Sequence, residues 1–276
     1  MRHDNHSISH PHSSIVASLA WLCFATLLAG LGCSSGDGGV PAPTVTNTPG
    51  SSSSEFQLLD EYEPAAGQPG SSAIAADDER FVAWATGYAG TITLGSDVEE
   101  GWDDPDHALA VAEGETESVL SLGNGGVVTL TFADPIGNGE GADFAVFENG
   151  FDDFFLELAF VEVSSNGEDF QRFDCAYLGD EPIGQYDTHD TELIGGLAGK
   201  YRAGFGTPFD LELLQDKDLV ADGDLDLDAI THVRIVDIIG DGSAEDSFGH
   251  PIYDPTPTVG SGGFDLDGIG VIHVGD

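Results

Sequence analysis

The sequence predicts an all-β protein, an antiparallel β-sandwich of jelly-roll type with long end loops. Three observations lead there. After Val119, short segments alternate apolar and polar residues at period two, clusters of Gly, Asn, Asp and Ser separate them, and no long stretch carries a helical apolar period. Many short strands with Gly and Asp turns suit a sandwich rather than a parallel α/β sheet.

Taken in chain order, residues 1–32 read as an export signal, with Arg2 near the start, an apolar run over 15–31 and small residues before Cys33. The stretch LLAGLGCSS (27–35) resembles a bacterial lipobox, which implies lipidation of Cys33 and a membrane attachment through that anchor only, with Gly30 standing where an aliphatic residue is usual. Residues 33–54 are then the lipidated Cys33 and a flexible Ser/Gly/Pro tether, and 55–276 form a single domain. Within it, 80–88 (RFVAWATGY) suits a short helix or a strand, and 101–112 (GWDDPDHALAVA) a loop leading into a turn. Strands follow at 127–132 (VVTLTF), 143–147 and 158–163, the last closed by the turn Ser164-Ser165-Asn166-Gly167 with 170–173 returning as its partner. Residues 176–222 read as a long insertion with one short helix near 211–215, and strands resume at 231–239 and 263–274. Of the three cysteines, Cys23 and Cys33 fall in the signal and at its end, so Cys175 has no intramolecular disulfide partner.

The chain has 50 acidic and 7 basic residues; removing Arg2 and Asp4 with the signal leaves 49 and 6. A nucleic-acid partner needs a basic footprint that is absent, and anionic membrane surfaces are disfavoured for the same reason. Most of the acids read as a solvating surface. A few do not. Asp237 shares strand parity with Val233, Ile235 and Ile239, Glu148 with Phe144 and Val146, and Asp265 and Asp267 with Ile269 and Val271. A buried carboxylate protonates, pairs with a base or binds a metal, and only Arg80, Arg172, Lys200, Arg202, Lys217 and Arg234 are available as bases. Calcium, which takes six to eight oxygen ligands, is the expected substitute, with Asp104, Glu148, Asn149, Asp237, Asp265 and Asp267 as candidate ligands. Gly268 and Gly270 leave open a bulge that would flip the parity and turn the Asp265/Asp267 pair to solvent.

The ordered strings VLSLGNGG (119–126), GADFAVFENGF (141–151), VEVSSNG (161–167), LAGKY (197–201), GTPFDL (206–211), THVRIVD (231–237) and SGGFDLDGIGVI (261–272) resemble a family of bacterial secreted cell-surface proteins. Some relatives of that family look to be associated with outer-membrane cobalamin uptake. The 161–170 segment is also similar to galactose-binding-like jelly rolls of the discoidin type, which implies binding through end loops and a structural calcium ion. Together these resemblances imply an exported protein of the cell envelope, an outer-membrane lipoprotein facing the surface or periplasm.

Other chemistry has less footing. Asp222 to Asp228 lacks the glycine at position six and the glutamate at position twelve of an EF-hand loop, so it reads as a solvated acidic turn, as does the segment with Asp241, Glu245 and Asp246. No nucleophile elbow, zinc-protease helix or phosphate-binding loop occurs, and the expectation is a protein that is not an enzyme. Trp84, Tyr88, Trp102, Tyr201 and Tyr253 are the candidate ligand-binding aromatics, for a glycan or a small molecule. The functional expectation is a non-catalytic binding or adhesion module, with nutrient capture and polysaccharide hydrolysis as alternatives.

Overall fold

A computed structural model describes residues 55–95, 98–114, 118–257 and 262–275. The expected signal, tether and lipidation site at Cys33 lie outside the described residues. The domain is all-β, built on two antiparallel sheets. The first sheet runs β1 (Ile74–Ala75), β11 (Phe205–Phe209), β6 (Phe144–Glu148), β15 (Asp265–Val271) and β2 (Ala83–Trp84), with β4 (Leu120–Ser121) also paired to β15. The second runs β3 (Gly87–Tyr88), β5 (Val127–Ile136), β12 (Ile230–Asp237), β7 (Ala159–Ser164) and β8 (Gln171–Arg172). Two small pairs complete it, β9 (Ala176–Tyr177) with β10 (Ile194–Gly195) and β13 (Asp241–Glu245) with β14 (Pro251–Tyr253).

Alternation along the strands places the core between the sheets. Val128 and Leu130 of β5, Val161 and Val163 of β7, and Val233 and Ile235 of β12 meet Phe144 and Val146 of β6 and Leu266, Ile269 and Val271 of β15. A fully buried aliphatic or aromatic side chain contributes about 1.5–3 kcal/mol, so these rows stabilise the sandwich without a disulfide. The opposite face of β6 is buried too, because Ala145 and Phe147 lie under Phe81 and Trp84. Two covered faces explain why every residue of β6 and β15 is buried.

The long strands alternate between sheets in chain order: β5 in the second, β6 in the first, β7 in the second, β11 in the first, β12 in the second, β15 in the first. Each connection therefore crosses an end of the sandwich. Residues 80–88 resolve into β2 and β3, one on each sheet, rather than a helix. The expected short helix near 211–215 is a 3-10 turn at Leu211–Leu214, capped by the Asp210 carboxylate accepting from Glu212 N. Asp224, Asp226 and Asp228 are exposed while Leu225 and Leu227 point inward, as a solvated acidic turn requires.

Candidate metal centre

Pairing registers bring four strand ends to one end of the sandwich. Asp237, last residue of β12, is opposite Ala159, first residue of β7. Glu148, last residue of β6, is opposite Leu266 near the start of β15. The two crossings at this end, from β6 to β7 and from β12 to β15, add Glu157 just before β7 and Asp254 just after β14. With Asp265, the first residue of β15, five carboxylates thus gather where the chain passes between sheets, and each is at most 7% exposed.

Each carboxylate already holds backbone or side-chain donors. Asp237 accepts from Phe264 N through Oδ1 and from Gly125 N through Oδ2, both at 2.7 Å. Glu148 Oε2 accepts from Gly150 N at 2.7 Å, and Glu157 Oε1 from Gly263 N at 3.0 Å. Asp254 accepts from Leu158 N at 3.2 Å, and Asp265 from the Ser121 hydroxyl and from Asn149. Gly263 is required at its position: its φ is +79°, and a Cβ there would sit 2.7 Å from Asp237 Oδ1. Gly240 is equally constrained, since a Cβ would stand 2.1 Å from the Asp254 carbonyl oxygen.

Among the described residues, no Lys or Arg neutralises the group. Arg80 pairs with Asp78, Arg172 and Arg234 with Glu162, Lys200 with Glu63, Arg202 with Asp153 and Lys217 with Asp174. His189 Nε2 lies 3.1 Å from Asp254 Oδ1, but burial holds the imidazole pKa down to about 4, so it brings no charge at neutral pH. Burial is the first cause raising the carboxyl pKa values, and mutual repulsion follows. Glu148 is raised further by Glu157, Asp265 and Asp254, Glu157 by Asp265, Asp254 and Asp237, and Asp254 by Asp237. Burial also pushes Asp265 up to about 7 and Asp237 up to about 6.

The donor set is all oxygen: five carboxylates, the Asn149 amide and the Ser121 hydroxyl. That chemistry fits a hard cation rather than zinc, which favours nitrogen and sulfur. Among the described residues, no three His, Cys, Asp or Glu side chains converge as a ready-made ligand set. Side-chain rotation of Glu148 and Glu157 would have to complete one.

The expected ligands divide accordingly. Glu148, Asn149, Asp237 and Asp265 come together. Asp267 does not join them, because its carboxylate accepts from Glu113 N and Gly114 N at 3.1 and 2.8 Å. The pairing of β15 with β6 shifts between Leu266 and Gly268, so Leu266, Ile269 and Val271 share the main core while Asp265 and Asp267 take the other face. The parity flips as a bulge dictates, but the second face is covered as well and the pair stays buried. Asp104 is exposed and caps the 3-10 turn at Pro105–Ala108 by accepting from Asp106 N. Ile239, placed with Asp237 by parity, is 40% exposed, because the strand ends at Asp237 and Ile238 turns inward instead. Asp246 is likewise buried rather than solvated, accepting from Tyr177 N, Phe248 N and His250 N.

The aromatic candidates do not form one surface. Tyr201 is 1% exposed, with its hydroxyl 3.0 Å from Ser72 Oγ, and Trp84 packs on Phe81 and Phe147. Trp102 is half-buried, Tyr253 packs against Tyr177, and Tyr88 alone of the five is exposed, on β3. Glu157 and Asp254 escaped the sequence reading because both lie outside regular strands, where parity gives no signal.

A pH dependence follows from the raised carboxyls. In the unfolded chain they ionise near pH 4, so between there and neutrality the folded metal-free protein binds more protons, and stability falls as pH rises. The metal-free protein is expected to melt at a lower temperature at about pH 8 than at about pH 5. The Asp265→Asn variant should flatten that slope in melts recorded with chelator present; an unchanged slope would remove Asp265 from the explanation.

Comparisons with protein-family models, curated proteins and solved structures returned no match.

Proposed function

We propose that this chain is a surface-tethered, non-catalytic binding or adhesion module for a glycan or cell-surface polymer, its sandwich stabilised by calcium at the Glu148, Glu157, Asp237, Asp254 and Asp265 end. The observation that carries the calcium part is the gathering of five buried carboxylates while every basic residue beyond the signal is paired elsewhere. Calcium suits the site because it accepts irregular sets of carboxylate, amide and carbonyl oxygens, whereas magnesium demands near-octahedral geometry. The ion would tie the two crossings together, holding β6 and β15 of one sheet to β7 and β12 of the other.

A binding role is favoured over hydrolysis by where the acids sit. None of the five lines the clefts at Lys200, Arg234, Tyr177 or Val220, whereas a glycosidase pair must reach a substrate. Attachment through Cys33 and residues 34–54 would hold such a module off an envelope membrane, and the acidity keeps it soluble there. A glycan array probed with the purified protein, in calcium and in chelator, tests the function. Binding to a defined glycan class, weakened by chelation, is expected; absence of glycan binding in both buffers would turn the reading toward small-molecule capture.

A further inference from the structure

The outer face of the second sheet carries a groove of about 470 Å³, within the range of small-ligand sites. Its floor is a row of side chains in register across three strands, Thr129 on β5, Arg234 on β12 and Glu162 on β7, and Arg172 on β8 continues the row beyond the groove. One wall is the segment after β3, where Ala89 N and Thr93 N donate to the carbonyl oxygens of Thr129 and Val127. The other is the turn between β7 and β8, which supplies Phe170.

In a chain with 50 acidic residues, this groove is lined by a single acid, Glu162, and two arginines hold it. The larger cleft, about 880 Å³ around Lys200, instead mixes Lys200 and Arg80 with Glu55, Glu63, Asp174 and Asp210, so its charge has no consistent sign. Arg234 is fixed in place by stacking 3.4 Å over the Phe170 ring, by Nε donating to Thr129 Oγ1 at 3.3 Å and by Nη1 donating to Glu162 Oε2 at 3.2 Å. Those two bonds use two of the five N–H hydrogens of a guanidinium. A held guanidinium with donors to spare suits a carboxylate, which it can meet with two parallel bonds. Around it, Thr93 and His232 offer hydrogen-bonding groups for hydroxyls, and burial together with Arg234 keeps the His232 pKa below its ordinary value. Screening over about 8 Å at physiological salt lets this local pattern act despite the acidic surface elsewhere.

We propose that this groove binds a sugar unit bearing a carboxylate, with the carboxylate on Arg234 and the ring hydroxyls on the threonine and histidine side chains beside it. This deepens the glycan-binding reading and rests on it. Titration calorimetry of the intact protein in calcium, with oligosaccharides containing glucuronic or galacturonic acid and with their neutral glucose and galactose counterparts, tests both. The acidic sugars are expected to bind, Arg234→Gln to weaken them at least about tenfold, the scale of one charged hydrogen-bonding contact, and Arg80→Gln, outside the groove, to leave them unchanged. Thr91→Trp, a substitution on the exposed wall that leaves the strand row intact, should block binding even if Arg234→Gln fails to fold. Neutral sugars binding as well as acidic ones, or Thr91→Trp binding like the wild type, would overturn the groove assignment while leaving a glycan-binding module standing. Failure of both sugar classes to bind would overturn the two together.

Discussion

Replacing Asp237 by alanine is expected to destabilise the metal-free protein by about 1–4 kcal/mol, since the buried Phe264 N–H loses its acceptor at about 1–3 kcal/mol and the half-buried Gly125 N–H loses its own at a smaller cost. The donors are Gly125 N, in the turn that starts β5, and Phe264 N, in the approach to β15. One carboxylate therefore ties both flanking segments to the end of β12. An opposing effect is relief of repulsion, because Asp237 raises the pKa of Asp254, Glu157 and Asp265. At about pH 5, below the Asp237 pKa of about 6, much of that repulsion is already gone and the lost hydrogen bonds dominate. Chemical denaturation there should show a sizeable part of a typical 5–15 kcal/mol stability eroded, and Asp237→Asn, which keeps one acceptor oxygen, should lose less. An Asp237→Ala protein as stable as the wild type would mean that water replaces the carboxylate at both donors.

Calcium is expected to act with similar size and opposite sign. A ligand that binds only the folded state stabilises it by about 4 kcal/mol at a thousandfold excess over its dissociation constant. Here it would also remove the cost of keeping Glu148, Glu157 and Asp254 together, so the gain should grow as pH rises and these groups ionise. Glu148→Gln and Asp265→Asn should each reduce the calcium response while making the metal-free protein more stable near neutral pH. Asp267→Asn and Asp104→Asn, which alter a loop staple and an exposed cap, should leave the calcium response intact. That contrast separates a cation site from general screening of an acidic surface, which all four substitutions would affect alike.

The sandwich was legible because its long strands obey period two: Val128 and Leu130, Val161 and Val163, and Val233 and Ile235 face the core as their spacing dictates. Parity also marked Glu148 and Asp237 as inward-facing acids. It failed at β15, where one bulge separates Asp265 and Asp267 from Ile269 and Val271, and where a second buried face leaves no solvent side to betray the shift. The shortage of bases was readable from composition, but their placement was not. Only the fold shows Arg172 and Arg234 sharing Glu162 across neighbouring strands and Lys200 turning to Glu63. Glu157 and Asp254 depend on which crossings share an end, a property of sheet order rather than of local pattern. The aromatics misled for a related reason, since Trp84 and Tyr201 lie in segments without clear periodicity and pack inward.

The central question is whether those five carboxylates hold a cation. Thermal unfolding of the purified protein slightly above neutral pH, in millimolar calcium against excess chelator, measures this directly. A melting temperature raised by calcium, with a smaller rise in Glu148→Gln, is the predicted result. Identical melting in calcium and chelator, in a protein that loses no bound metal on dialysis, would contradict it and leave the buried acids as protonated staples for backbone N–H groups.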